Sequence, residues 1–300
     1  MDLRRMKYFI AIVEEGQISL AAKKLNISQP PLSQQLKLFE EELGTILFER
    51  NTRKLILTDE GRFLYEKALE IVEMLDQTEQ ELKELSHGIT GTLNIGTIPS
   101  LGAEILPIKV KDFRMKYPEV TFQVWEGDPN RIMELLEKRI IELGIVRLPI
   151  DKEIFELISL PDEPMVAAMS RNLEFNDDPD FVNLADLKDK PLMLLRRAAG
   201  TSIYNQSMYD IDMVKSACRD AGFEPNIICE SSNLMTLLSW ANHDIGITII
   251  PRSGGKLIPD SKLIYKRIIN PDIMARPSAL IWLKERRLSI VVKRFMEYFS

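Results

Sequence analysis

The sequence predicts an α head joined to an α/β body: three short helices and a small β-ribbon over residues 1–58, one long helix over 59–88, and two α/β lobes over 91–300. Three observations carry this. Apolar residues near the start recur at helical spacing in short bursts broken at Gly16 and Asn26. One narrow apolar stripe then runs from Leu64 to Leu85 without a break. From Gly91 onward, short β-branched runs alternate with helical patterns, which means a mostly parallel sheet with helices on its faces.

Composition permits such a body. The 300 residues, 45% apolar and 28% charged, are enough for more than one core and exclude a disordered or fibrous chain. The longest apolar runs, Met165 to Met169 and Ala279 to Leu283, are too short to cross a bilayer. Arg4, Arg5 and Lys7 precede an apolar stretch as in an export signal, but Glu14 and Glu15 cut it short and no cleavage site follows. A cytoplasmic protein with no membrane association is expected. Cys218 and Cys229 are too few for a disulfide scaffold or a zinc cage, so neither metal nor cofactor is expected. The net charge of −6 argues against nucleic acid only until it is divided: residues 1–58 carry nine basic and seven acidic side chains, a net +2, leaving −8 elsewhere. Any polyanion contact belongs to the head.

In the head, Leu3, Met6, Phe9, Ile10 and Val13 form one face of a first helix, which Gly16 ends. Ser19 is placed to cap a second helix with Ala21, Ala22 and Leu25 inside, the alanines allowing close approach of another backbone. After the Asn26-Ile27 turn, Ser28 caps a third helix beginning Gln29-Pro30-Pro31, where prolines are tolerated because first-turn N–H groups have no intrahelical partner. Leu32, Leu36, Phe39 and Leu43 line its buried side, leaving Gln29, Ser33 and Gln34 on an exposed tip. Short helix, tight turn and polar-tipped helix over about 18–37 make a helix-turn-helix, whose second helix enters a major groove. Leu47 to Arg50 and Lys54 to Leu57 flank Asn51-Thr52-Arg53 as a small wing.

Thr58 caps the long helix, with Asp59 and Glu60 favourable at its positive end. Leu64, Ala68, Ile71, Leu75, Thr78, Leu82 and Leu85 follow at steps of four and three, ringed by Glu and Lys. So narrow a stripe favours a partner helix over packing on its own domain. Gly88 stops it. Beyond Gly91, strands are expected over 93–97, 120–126, 141–146, 165–169, 191–195, 226–230 and 246–250, and helices over 103–117, 129–139, 203–221, 233–241 and 290–299. The pattern restarts after residue 160, giving lobe I over about 91–161 and 268–300, and lobe II over about 162–267.

Ser19, Ala21-Ala22, Leu25, Ser28-Gln29-Pro30, Leu32-Ser33-Gln34, Leu38, Glu40, Leu43-Gly44, Leu47-Phe48, Arg50, Arg53, Leu57-Thr58 and Gly61 stand in the order found in LysR-type transcriptional regulators, whose winged helix-turn-helix this head resembles. The remainder is similar more loosely, through Gly91 to Gly96, Leu106-Pro107, Tyr117-Pro118, Leu143-Gly144-Ile145 and Gly246 to Pro251. Pro31, Glu60 and Glu142 depart from common family choices without disturbing the pattern. The resemblance implies a bacterial transcription factor, a homodimer or homotetramer whose linker helices set two heads on an interrupted palindrome of double-stranded DNA, with RNA polymerase as a further partner. It also implies a two-lobed effector domain resembling type 2 periplasmic binding proteins, with a small metabolite in its cleft.

For DNA, chemistry and resemblance name the same residues. Gln29, Ser33 and Gln34 offer amide and hydroxyl groups to base edges, and Pro30 and Pro31 offer apolar surface to a thymine methyl. Arg53 at the wing tip suits a minor groove or phosphate, with Arg50, Lys54 and Lys37 positioning the backbone. The acidic run Glu40 to Glu42 reads as a solvated helix end. For the effector, three loops qualify at strand ends beside helix N-termini: 98–102 with Ser100 and Leu101, 127–129 with Asp128, and 199–202 with Thr201 and Ser202. Arg147 ends a buried strand, where an unpaired cation is costly, so it either faces the cleft and a carboxylate effector or pairs with a structural acid such as Asp128.

Three other functions compete. An enzyme would use the cleft, but the sequence has two histidines, at 87 and 243, and no nucleophile elbow, Walker or dinucleotide motif. A transport binding protein has no use for the head. A DNA binder indifferent to small molecules would leave the cleft empty.

Overall fold

The computed structural model describes residues 2–49, 55–87, 89–196, 210–258 and 261–299. It falls into two compact units, Met1–Gly88 and Ile89–Ser300.

In the first unit, α1 (Leu3–Glu15), α2 (Ile18–Lys24) and α3 (Gln29–Leu43) precede a two-stranded ribbon, β1 (Phe48–Glu49) with β2 (Ile56–Leu57), and then α4 (Asp59–His87). Phe9 organises the core, its ring meeting those of Phe39 and Phe48 edge-on at 6.3 and 5.6 Å. Ala21 and Ala22 are buried where α2 crosses α1, as their small size requires. Gly16 and Gly44 close their helices at φ of +65° and +69°, the left-handed conformation glycine adopts without strain.

Two caps differ from expectation. Ser19 lies inside α2, which begins at Ile18 behind Gln17. Ser28 does occupy the N-cap of α3, yet its hydroxyl makes no capping bond, because the residues that would donate, Pro30 and Pro31, have no N–H. Thr58 does cap: its Oγ1 accepts from the Gly61 N–H at 3.0 Å and donates to the Ile46 carbonyl at 2.8 Å. The α4 stripe divides between two tasks. Ala68 is buried and Leu64 half-buried in the unit's own core, whereas Ile71 and Leu75 are 41% and 38% exposed.

The second unit holds a mixed sheet in order β4-β3-β5-β13-β6 and another in order β10-β9-β11-β7-β12-β8. The first is built from β3 (Gly91–Thr97), β4 (Val120–Glu126), β5 (Leu143–Arg147), β6 (Phe155–Ser159) and β13 (Ser278–Leu283). The second comprises β7 (Met165–Ser170), β8 (Phe181–Asn183), β9 (Leu192–Leu195), β10 (Ile227–Ser231), β11 (Ile247–Pro251) and β12 (Leu263–Ile269). The helices are α5 (Pro99–Lys116), α6 (Pro129–Glu137), α7 (Asp210–Asp220), α8 (Leu234–Ala241) and α9 (Ile290–Met296).

The sheets are less parallel than expected. β13 runs antiparallel to β5 and β6, and β7 antiparallel to β11 and β12, because the chain passes between lobes twice, over 160–164 and 270–277. β6, β8, β12 and β13 were not foreseen. Each lobe has its own core. On lobe I, Phe113, Phe122, Phe295 and Phe299 form a chain of edge-on rings 5.2 to 6.1 Å apart that fixes the terminal α9 against α5.

Candidate functional site

The DNA-facing surface begins with how α3 is held. Leu32, Leu36 and Phe39 are buried, which turns Gln29, Pro30, Pro31, Ser33, Gln34 and Lys37 outward, and all six are exposed. Lys37 keeps a 3.6 Å contact with Glu41, one turn on. Arg5 ties α3 to α1: its Nε donates to Gln35 Oε1 at 3.2 Å and its Nη1 to Glu42 Oε2 at 2.5 Å. Glu14 and Glu15 at the end of α1 pair with Lys24 of α2 at 2.8 and 3.0 Å and raise its pKa above the ordinary lysine value.

The acidic run proves more than a solvated end. Glu40 Oε1 accepts the Leu47 N–H at 2.8 Å, anchoring the start of the ribbon, and Glu42 receives Arg5. Sequence spacing gave no sign of these roles, since both partners come from other elements. The ribbon pairs Phe48 with Leu57 and Glu49 with Ile56. Arg50, Arg53 and Lys54 lie outside the described residues.

In the second unit, β3 runs parallel to β4 and β5, so α5 and α6 begin at one edge of one sheet. The loops there are laced together: Ile98 N–H donates to the Ile145 carbonyl at 3.1 Å and Gly127 N–H to the Thr97 carbonyl at 3.2 Å. Residues 99–102, expected as a loop, form the first turn of α5, with Pro99 at the start. No side chain caps that turn, and with the Gly102 N–H bonded to the Ile98 carbonyl at 3.0 Å it is the Ser100 and Leu101 N–H groups that remain open to an acceptor. Ser100 is 6% exposed, and the Leu101 side chain belongs to the lobe core, which leaves its backbone as its only means of touching a ligand. Asp128 caps α6: its Oδ1 accepts from Asn130 N at 2.9 Å and Arg131 N at 3.2 Å. Asn130 Oδ1 beside it is buried with no hydrogen-bond partner. Thr201 and Ser202 lie outside the described residues.

Arg147 differs most from the simple picture of a free cation. It is 7% exposed, and its acid is Glu163, not Asp128. Nη2 donates to Glu163 Oε1 and, at 3.4 Å, to Ser253 Oγ, while Nη1 donates to the Arg276 carbonyl at 2.7 Å. Glu163 Oε2 accepts the Ser253 N–H at 2.6 Å, and Oε1 accepts the Ser253 hydroxyl at 3.0 Å. Four stretches of chain thus meet on one buried ion pair. Glu163 and Ser253 were missed because nothing local marks a buried acid between Asp162 and Pro164 or a serine beside Gly254.

Among the described residues no cluster of His, Cys, Asp and Glu is arranged to hold a metal, and no helix is long and apolar enough to cross a membrane. Burial raises the Cys218 thiol pKa to about 11, whereas Cys229 is half-buried. The thiolate is the reactive form, so iodoacetamide near pH 8 is expected to alkylate Cys229 and spare Cys218 in the folded chain. Peptide mass spectrometry checks this, and comparable labelling of both would show that Cys218 is not shielded.

Comparison with known proteins adds three findings. The family described as "Bacterial regulatory helix-turn-helix protein, lysR family" matches residues 3–62, and "LysR substrate binding domain" matches residues 86–300. The chain is 34% identical over 304 residues to the HTH-type transcriptional regulator BsdA of Bacillus subtilis (strain 168), covering 100% of both, and 31% identical over 257 residues to AlsR of the same organism, covering 86% of this chain and 82% of that one. The crystal structure of full-length CbnR complexed with its target DNA superposes with a TM-score of 0.66 at 26% identity, covering 100% of this chain and 99% of that one.

Proposed function

Since the chain belongs to the LysR family of DNA-binding transcriptional regulators, we propose that paired copies read an interrupted palindrome in double-stranded DNA and respond to a small organic acid held between the two lobes. The observation that carries the DNA half is the tip of α3: six polar or apolar contact residues face outward from a helix whose opposite side is locked into the core and strapped by Arg5. Gln29, Ser33 and Gln34 read base edges, Pro30 and Pro31 meet thymine methyls, and Lys37, Arg50, Arg53 and Lys54 contact phosphates and the minor groove. The CbnR complex with target DNA supports the same use of the head. The protein works in the cytoplasm, with RNA polymerase as its downstream partner.

The effector half rests on the uncapped first turn of α5, where the Ser100 hydroxyl and the adjacent N–H groups donate to a carboxylate. Thr201 and Ser202 supply hydroxyls from lobe II. Asp128 orders the neighbouring turn by capping α6, and Arg147 acts on the site through Glu163 and Ser253. A family of uses built on DNA reading stands or falls with one substitution. Gln34→Ala is expected to lower discrimination between the operator and a single-base variant by about tenfold to a hundredfold, the value of one bidentate base contact. Fluorescence anisotropy against both duplexes measures it, and unchanged discrimination would remove this face of α3 from base reading.

A further inference from the structure

A cavity of about 340 Å³ opens on the six-stranded sheet. Its floor is a row across three strands, because Arg267 of β12 pairs in register with Val166 of β7 on one side and Phe181 of β8 on the other. Tyr265, two residues back on the same face, Arg252 and the rim residues Pro164 and Asp180 complete it.

Two observations point to an occupant. Arg267 lines the floor with a side chain that is 42% exposed, its Nη2 donating to Asp272 at 2.7 Å, so a charged guanidinium stands at the cavity wall. Phe181 is 40% exposed, but its backbone is fixed with unusual care. Asp178 Oδ1 accepts both the Asp180 and Phe181 N–H groups at 2.9 Å, and Asn176 Nδ2 donates to the Phe181 carbonyl at 2.9 Å. Asn176 is in turn held by Lys266, a lysine 1% exposed, whose Nζ lies 2.7 Å from Asn176 Oδ1 and 2.6 Å from Glu174 Oε1. A buried cation therefore orders a loop whose effect is to present an aromatic ring beside two guanidinium groups. Arg252 stays 64% exposed, with a loose 3.9 Å contact to Glu104.

We propose that this pocket binds a monoanionic organic acid with a flat apolar body, the carboxylate between Arg252 and Arg267 and the body against Phe181, Val166 and Pro164. The lining combines apolar surface with a few convergent donors, as small-molecule sites do. Two acids set the charge class: Asp180 lines the cavity and Asp272 already pairs with Arg267, so a second negative charge on the ligand is opposed and dianions are disfavoured. Arg252 joins this cavity to α5 through its contact with Glu104, so the site lies beside the helix that carries the proposed effector turn, with its own lining of Arg267 and Phe181. It also touches the lobe junction, since the Arg252 N–H donates to the Pro164 carbonyl at 3.1 Å, one residue from Ser253 and Glu163 respectively.

Isothermal titration of the full chain with phenylacetate tests this, with succinate and inorganic phosphate as dianionic controls. Saturable phenylacetate binding is expected, weakened about tenfold or more by Arg252→Gln and by Phe181→Ser, surface changes that leave the unliganded melting temperature in place. Asp180→Asn is expected to tighten phenylacetate and admit succinate. No binding by the parent chain, full affinity in both weakened variants, or succinate and phosphate binding as tightly as phenylacetate would each overturn the proposal.

Discussion

Glu163→Ala is expected to destabilise the Ile89–Ser300 unit by about 3–5 kcal/mol, the cost of leaving one member of a buried ion pair alone. Arg147 and Glu163 side chains are 7% and 8% exposed, so neither charge recovers much hydration when its partner is lost. The alanine variant strands the guanidinium with only the Ser253 hydroxyl and the Arg276 carbonyl, and it deprives the Ser253 N–H of its acceptor as well. Urea unfolding followed by the fluorescence of Trp125, Trp240 and Trp282, all in this unit, reads the loss. Glu163→Gln keeps an acceptor and should lose less. Combining Glu163→Leu with Arg147→Met removes both charges and should restore part of the stability, because the desolvation penalty disappears along with the attraction while the Ser253 N–H stays without its acceptor. A loss below about 1 kcal/mol for the alanine variant would mean that solvent screens the pair as it does at a surface.

Ile71→Glu combined with Leu75→Glu should cost operator affinity by about a hundredfold to ten-thousandfold, the advantage that joining two heads confers on one palindrome. The physical basis is the change of environment along α4. One side of the helix packs on its own unit as far as Val72, while Ile71, Met74 and Leu75 are 41%, 54% and 38% exposed. We propose that a second copy's helix covers these exposed apolar residues, the usual partner for such spacing on a helix otherwise rich in charge. Sedimentation velocity should report a shift toward protomers, and anisotropy the weakened grip on the full palindrome, with binding to an isolated half-site unchanged. Full operator affinity in a chain that still sediments as a dimer would place the pairing surface elsewhere.

Much of the head is legible in the sequence alone. Its helices are short and their apolar faces local, so period alone located them, and the outward set on α3 followed from which residues had to face in. Ser28 shows the limit: its identity and position announced a cap, yet the two prolines after it removed the donors that a capping hydroxyl needs. The α/β body was read less completely. β4 was found with its observed bounds, but β12 was missed because Lys266 and Arg267 interrupt an otherwise apolar run, and the burial of Lys266 could be inferred only once a distant loop was seen to supply its acceptors. The start of α5 was placed late because Ser100 and Gly102 look like turn residues, although Pro99 ahead of them is a favoured helix opener.

What the sequence determined by itself was the kind of molecule: a helix-turn-helix with its polar tip, a long seam, and α/β lobes. These depend on interactions spanning a few residues, which spacing records. Tertiary structure alone decided how the charges were matched. Arg147 meets Glu163 at a separation of 16 residues and Ser253 at 106, and Arg5 reaches Glu42 across 37. A buried charge takes whichever opposite group the folded backbone brings within reach, and that choice is made by the crossing of distant segments.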